Sequence, residues 1–306
     1  MPDFIVASLC DSEKSAQIGD FMALLFSKRQ NQASTIRSKI SALNYYHKMW
    51  GGGELPVKHF HVKAVTQGIT RRQGVSGANV RPVRRGLTWH QIEQGRALMS
   101  CRHLWADTPG GRVVWFGLAL SYMWMLRASE IWADDATGAL RPDYGLTRES
   151  VTFRKQGITL PLNRFAEAEV VVVHFKASKG DQKRIGADVA RSGACAQVMI
   201  ELFKLFPNLP ATAPLMAYPH GETFSVLKRK EAVVVLRKMV SIVGEGLPSE
   251  YALHSGRVGG ATAMMVAGRS DLEIMKAGRW KSAVFRTYIR LSPEMENASN
   301  ALVPDK

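Results

Sequence analysis

The sequence predicts a mainly helical protein with one small antiparallel β-sheet, an α+β chain built as two domains. Three observations carry this expectation. The chain has 306 residues, more than one minimal domain needs and suited to two. Apolar residues make up 46% of it, enough for a sizeable core. Helical periodicity runs through most of the chain, and the β-branched run Val170-Val171-Val172-Val173-His174-Phe175 interrupts it.

Residues 1–75 read as a helical domain. Ser34 can cap a helix carrying Ile36, Ile40, Leu43 and Tyr46 on one side, with Arg37, Lys39 and Lys48 off that stripe, and Gly51-Gly52-Gly53 stops it. After Pro56, residues Val57, Phe60, Ala64 and Val65 suggest a second amphipathic helix ending near Arg71-Arg72. His59 and His61 are two apart, so on a helix they face different ways and make a poor metal pair.

Residues 76–87 are rich in Gly and Arg and have no apolar period, as an interdomain linker would. Arg81, Arg84 and Arg85, with Arg71 and Arg72 before them, are either a solvated charge run or a track for a phosphate backbone. The second domain, 88–306, opens with Thr88-Trp89-His90-Gln91, a capping box. Gly111 to Ser129 reads as one buried helix, too short in its apolar part to span a bilayer comfortably. Beyond the valine strand, Ser178-Lys179-Gly180-Asp181 reads as a turn and Arg184-Ile185-Gly186 as the return strand. Helical patterns resume over 199–206, 227–243, 254–266, 272–276 and 284–291.

The net charge is +15 and the pI about 9.9, which favours a polyanionic partner. The three cysteines, Cys10, Cys101 and Cys195, are odd in number, far apart and without a CxxC, which fits a reducing compartment better than a disulfide framework or zinc site. The opening residues lack the basic and long apolar segments of a secretory signal, so an intracellular location is expected. No GxxxxGK[ST] loop occurs, so no nucleotide energy source is implied.

Several residues suited to phosphate chemistry fall in the second domain. Arg127, in Leu126-Arg127-Ala128-Ser129-Glu130, stands at a helix end. His254 and Arg257, in His254-Ser255-Gly256-Arg257, lie one turn apart on one face, and Gly259-Gly260 allows close backbone approach. Lys179 sits on the hairpin turn, with Lys176 as its rival. Gly278-Arg279-Trp280-Lys281-Ser282 precedes a segment bearing Tyr288. A phosphoryl-transfer site that uses a protein nucleophile needs arginine forks on the non-bridging oxygens, a proton acceptor and a proton donor.

In this order the residues resemble the catalytic domain of the tyrosine recombinases, the phage integrases and their relatives. The spelling HSGRVGGAT and GRWKSAVFRTYIR is most similar to the crypton and DIRS-like branch of mobile elements. The resemblance spans roughly residues 85–292. The first domain resembles, less specifically, a trimmed core-binding (SAM-like) domain. What the resemblance implies is a C-shaped DNA clamp that cuts and rejoins duplex DNA without metal, ATP or other cofactor. In it Arg127 and Arg257 clamp the scissile phosphate, Glu130 supports Arg127, and His254 accepts the proton of the nucleophile Tyr288. Lys179 protonates the leaving 5′ oxygen, and Trp280 donates to a phosphate oxygen. Arg37, Lys39, Lys48, Arg71, Arg72, Arg81, Arg84 and Arg85 contact DNA. The Trp280-to-Tyr288 interval is one residue shorter than the family commonly shows, and Arg279 has the usual interval, so the two compete for the phosphate position. The resemblance also implies a homotetramer on two DNA sites, with a tail containing Met295 and Leu302 docked on a neighbouring subunit. It implies a place in the nucleoid or cytoplasm of a bacterial or phage-infected cell, or in a eukaryotic nucleus. Two alternatives stay open: a DNA-binding protein derived from a recombinase that no longer cuts, and a type IB topoisomerase-like or hairpin-resolving enzyme.

Overall fold

The structure, a computed structural model, describes residues 9–50, 52–76, 84–100, 108–177 and 185–289. The chain divides into two compact units, 1–82 and 83–306.

The first unit holds three helices, α1 (Asp11–Ser27), α2 (Ala33–Met49) and α3 (Phe60–Ser76). Ile18, Met22 and Leu25 of α1, Ile36 and Ile40 of α2, and Val62 and Ile69 of α3 form its core. The expected cap at Ser34 is displaced. Helix α2 starts two residues before a helix capped by Ser34 would, with Gln32 as its N-cap residue, and the Ala33 N–H donates to the Gln73 side chain of α3 at 3.1 Å. A tertiary acceptor thus satisfies the first N–H of the helix, a donor that precedes Ser34 and that a Ser34 cap would not have taken. The same bond lies beyond the expected end of α3 near Arg71-Arg72, and the helix continues to Ser76. His59 precedes α3 rather than lying on it, so its ring meets His61 edge-on with centroids 5.0 Å apart. His61 Nδ1 pairs with Ser15 Oγ at 3.1 Å. Among the described residues no group of three or more His, Cys, Asp or Glu could hold a metal.

The second unit wraps its helices around the largely buried α5 (Pro109–Met123). Helix α4 (Trp89–Ser100) begins at the expected capping box: the Thr88 N–H donates to Gln91 Oε1 at 3.0 Å, and the Gln91 N–H to Thr88 Oγ1 at 3.1 Å. The expected continuous helix 111–129 is broken. After Met123 the chain passes through Trp124, Met125 and Leu126, all buried, with Met125 at φ 50°. A new short helix, α6 (Ala128–Ile131), then starts with Arg127 as its N-cap residue. Arg127 therefore opens a helix instead of ending one. The left-handed Met125 turns its carbonyl towards two arginines, described below, an arrangement that helical continuation through this residue would forbid.

The sheet has four antiparallel strands in the order β2-β1-β3-β4. They are β1 (Val151–Lys155), β2 (Ile158–Thr159), β3 (Val170–Phe175) and β4 (Ala187–Ser192). β3 coincides with the valine run. The return strand starts later than expected, because Gly186 sits at φ 75°, outside strand geometry; Arg184 and the turn 178–181 lie outside the described residues. Val171, Val173 and Phe175 of β3 pack into the main core with Met199, Leu202 and Phe203 of α7 (Gly193–Leu205). A second hairpin, β5 (Ala217–His220) with β6 (Thr223–Val226), occupies a stretch for which no element was expected.

Helices α8 (Arg229–Val243), α9 (Ser255–Val266) and α10 (Asp271–Gly278) follow. Gly259 and Gly260 of α9 do permit close approach. A Cβ at Gly259 would lie 1.9 Å from the Leu87 carbonyl oxygen, and one at Gly260 would lie 2.1 Å from that of Tyr122. The end of the expected linker is thereby part of this unit: Leu87 is buried and its N–H donates to Ser255 O at 2.9 Å. The expected helix 284–291 is instead a 3₁₀ segment, Ala283–Tyr288. Its i,i+3 repeat puts Phe285 and Tyr288 on one side, where both pack against Trp280. Among the described residues no helix is long and apolar enough to cross a membrane.

Candidate active site

Five of the six candidate catalytic residues meet at one end of the second unit: Arg127 before α6, His254 and Arg257 at the start of α9, Trp280 after α10, and Tyr288 at the end of the 3₁₀ segment. Lys179 and Arg81 lie outside the described residues, as do Met295 and Leu302.

Glu130 anchors the site. It is fully buried, and its carboxylate takes both Arg127 Nη1, at 2.9 Å, and a two-pronged contact from Arg279, at 2.9 and 3.0 Å. It also accepts the Arg127 N–H at 2.8 Å. Burial raises the pKa of Glu130, but the two guanidinium groups outweigh that and hold it below the ordinary carboxylate range. The expected support of Arg127 by Glu130 is present, and Arg279 is a second partner that the sequence did not suggest.

Arg279 takes the left-handed conformation at the end of α10, φ 57°. Its guanidinium lies 3.5 Å from the centroid of the Phe175 ring, and it also donates to Met125 O at 3.2 Å. The two residues that competed for the phosphate position therefore point to different tasks. Arg279 is spent on Glu130, while Trp280 lies over Arg257, with the guanidinium 4.3 Å from its ring centroid.

Arg257 is the most enclosed of the three arginines. Its side chain donates to Met125 O and Gly278 O. Burial, reinforced by the nearby Arg127 and Arg279 charges, lowers its pKa to about 9. Side-chain exposure is 20% for Arg127 and 6% for Arg279, while Arg257 is wholly buried. Arg127 is thus the arginine that solvent reaches. Arg257 Nε and Arg279 Nε are buried without a hydrogen-bond partner among the described residues, donors that a ligand or a small side-chain shift would satisfy.

Tyr288 stands over this cradle. Its ring centroid is 4.9 Å from that of His254, 5.1 Å from that of Trp280 and 5.9 Å from the Arg257 guanidinium. Its hydroxyl makes no hydrogen bond among the described residues. Burial, together with the Arg257 and Arg127 charges, lowers the pKa of His254 to about 4, so the imidazole is neutral at pH 7 and able to accept a proton. The rival lysine, Lys176, is exposed and pairs with Glu149 at 3.3 Å.

The other candidate contacts are dispersed. Arg37, Lys39, Arg71 and Arg72 are exposed on the first unit, and Lys48 pairs with Glu54 at 3.3 Å. Arg84 donates to Ser249 O, and Arg85 pairs with Glu250 at 3.3 Å. These last two are held against the second unit rather than strung along a free linker.

No protein-family model matches the chain, and no curated protein matches it. Solved structures do. The XerH site-specific recombinase, in a post-cleavage complex with its palindromic difH substrate, is 12% identical; the alignment covers 97% of this chain and 73% of that one, with a TM-score of 0.53. The Tn1549 transposon integrase, in complex with circular intermediate DNA, is 12% identical over 96% of this chain and 87% of that one, with a TM-score of 0.54. At such identity the likeness is one of architecture, and it extends over nearly the whole length: the chain has the fold of the tyrosine recombinases.

Proposed function

We propose that the protein cuts and rejoins duplex DNA through a tyrosine–phosphate bond, as a site-specific recombinase or integrase. The observation that carries this reading is the packing of Tyr288, in tilted ring contacts, against a neutral His254 and against Trp280, with the Arg257 guanidinium 5.9 Å from its ring centroid, in a cluster whose solvent-reachable arginine is Arg127. In this reading the Tyr288 oxygen attacks the scissile phosphorus. Its proton passes to His254, the bond from phosphorus to the 5′ oxygen breaks, and a 3′-phosphotyrosyl link forms. Lys179 supplies the proton that the leaving 5′ oxygen takes up. Arg127, and Arg257 after a shift of its donors from backbone carbonyls, hold the non-bridging oxygens as charge develops on them. Trp280 presents its indole N–H to the same phosphate. Rejoining is the reverse, with a DNA 5′ hydroxyl as nucleophile. No metal or nucleotide is required in these steps, because the covalent link conserves the bond energy. A homotetramer on two DNA sites follows from the same reading, with the basic residues of the first unit on the phosphate backbone.

The test uses a suicide substrate, a nicked duplex that loses a short 5′ fragment once cut and so traps the covalent product. The wild-type chain should form a protein–DNA adduct that resists denaturant. Tyr288→Phe removes one oxygen, so it should bind DNA with unchanged affinity and form no adduct. Adduct formation by the Phe variant would assign the nucleophile elsewhere. Relaxation of supercoiled plasmid without strand exchange would redirect the reading to a topoisomerase-like outcome of the same chemistry.

A further inference from the structure

The C-terminal half of α2 exposes its largest side chains. Tyr45, Tyr46, Met49 and Trp50 are 59%, 54%, 65% and 71% exposed, although this unit buries smaller apolar residues efficiently. The rings are not scattered. Tyr46 meets Tyr45 edge-on at 5.5 Å and lies tilted against Trp50 at 5.9 Å, forming a short ladder along the helix. Tyr46 does not join the buried stripe of Ile36 and Ile40 as expected; it lies two turns after Lys39 on an exposed face. Helix α2 has no acidic residue. Residues 28–76 as a whole carry nine Lys and Arg against one Glu, Glu54, and that one is paired with Lys48.

We infer that this face of α2 is a stacking platform for unpaired bases of single-stranded DNA. The inference rests on the reading above that the chain works on DNA, and adds to it a DNA form that the active site does not require. The charge around the rings selects a polyanion. Within polyanions the rings discriminate further. In a duplex each base face is covered by its neighbours, so an exposed Tyr or Trp gains little. An unpaired base offers a free π-face, and its stacking on an aromatic ring adds to the attraction of nearby cations for the backbone. Residues 28–76, nine basic groups against the single Glu54, match a polyanion better than a protein surface of mixed charge. The platform would hold a strand that becomes unpaired when the duplex is opened or folded on itself.

The experiment measures binding of the full chain by fluorescence anisotropy to three labelled probes: an oligo-dT strand, an abasic strand with the same number of phosphates, and a duplex. The wild-type chain should bind oligo-dT at least about tenfold more tightly than the abasic strand. Tyr46→Ala and Trp50→Ala should each remove most of that difference while leaving the abasic and duplex affinities unchanged. Trp50→Phe, which keeps a ring, should retain a large part of it. Equal binding of oligo-dT and abasic strands by the wild-type chain would overturn the inference, as would undiminished oligo-dT binding by the Tyr46→Ala, Trp50→Ala double variant. A double variant that changes self-association in light scattering yet binds oligo-dT normally would show that the face meets another protein chain instead. Loss of duplex binding by the wild-type chain would point to failure of the DNA reading itself, and is separately visible in the same experiment.

Discussion

The arginine cradle and the tyrosine segment lie in contact yet are built in opposite ways. The cradle is cross-tied: Glu130 holds Arg127 and Arg279, Met125 O accepts from Arg257 and Arg279, and the Phe175 ring supports Arg279 from the sheet. The tyrosine segment is a single 3₁₀ stretch with one wholly buried side chain, Phe285, and an exposed pair, Arg286 with Asp271 at 2.6 Å. In the proposed reaction, the part that would meet developing charge is cross-tied within the protein itself. The part that would move its oxygen onto phosphorus is joined to the cradle by ring packing. A 3₁₀ stretch joined to its surroundings mainly by ring packing and one exposed ion pair is expected to open locally before the cross-tied cradle does.

The largest expected effect comes from breaking the cradle. Glu130→Ala leaves two enclosed guanidinium groups without their counter-charge, so it should cost about 3–5 kcal/mol of stability in denaturant unfolding. A loss below about 1 kcal/mol would mean that the cluster is not pre-formed. Next is the indole. Trp280→Phe keeps most of the ring packing on Arg257 and Tyr288 but removes the N–H, so cleavage at saturating protein should fall about 10²-fold, the usual scale for one lost transition-state donor. Arg279→Ala should chiefly lower stability, through Glu130; a cleavage defect without destabilisation would return Arg279 to the phosphate.

His254 sharpens the comparison through pH. Its pKa falls from 6.5 to about 4 on folding. Between those values the unfolded chain binds the extra proton, so stability rises with pH across that window. The contribution is complete above 6.5 and is lost as pH falls towards 4. An NMR titration of His254 with a midpoint near 6.5 would mean that burial and the neighbouring arginines do not depress its pKa. The smallest effect belongs to the tyrosine segment. Asp271→Asn breaks an exposed ion pair and should change stability by less than about 1 kcal/mol, less still at high salt. A much larger loss would mean that this segment is as firmly held as the cradle.

What could be read from the sequence was what depends on neighbours along the chain. The Thr88–Gln91 capping box, the valine strand and the His254–Arg257 turn all follow from local spacing, and the structure forms each of them. What could not be read depends on partners far away. The break after Met123 makes sense only once Arg257 and Arg279 are in place to use the Met125 carbonyl. The first N–H of α2 is satisfied by Gln73, forty residues on. The Arg279–Glu130 contact joins residues 149 apart. The one local hint was the short Trp280-to-Tyr288 interval, which left Arg279 at the usual spacing without saying what it would touch. The β5–β6 hairpin went unread because Pro219 within β5 weakens a strand pattern.

The two glycines of α9 bear on how this site would look to a mutational scan. Gly259 and Gly260 stand beside His254 and Arg257 in sequence, and any side chain there would drive a Cβ into the Leu87 or Tyr122 carbonyl. A survey scoring only activity would therefore rank both glycines with the proposed catalytic residues, although neither has a side chain to offer a phosphate. Soluble yield or thermal stability, scored alongside, would separate the two classes: substitutions at the glycines should depress both readings together, and changes to Tyr288 should depress activity alone.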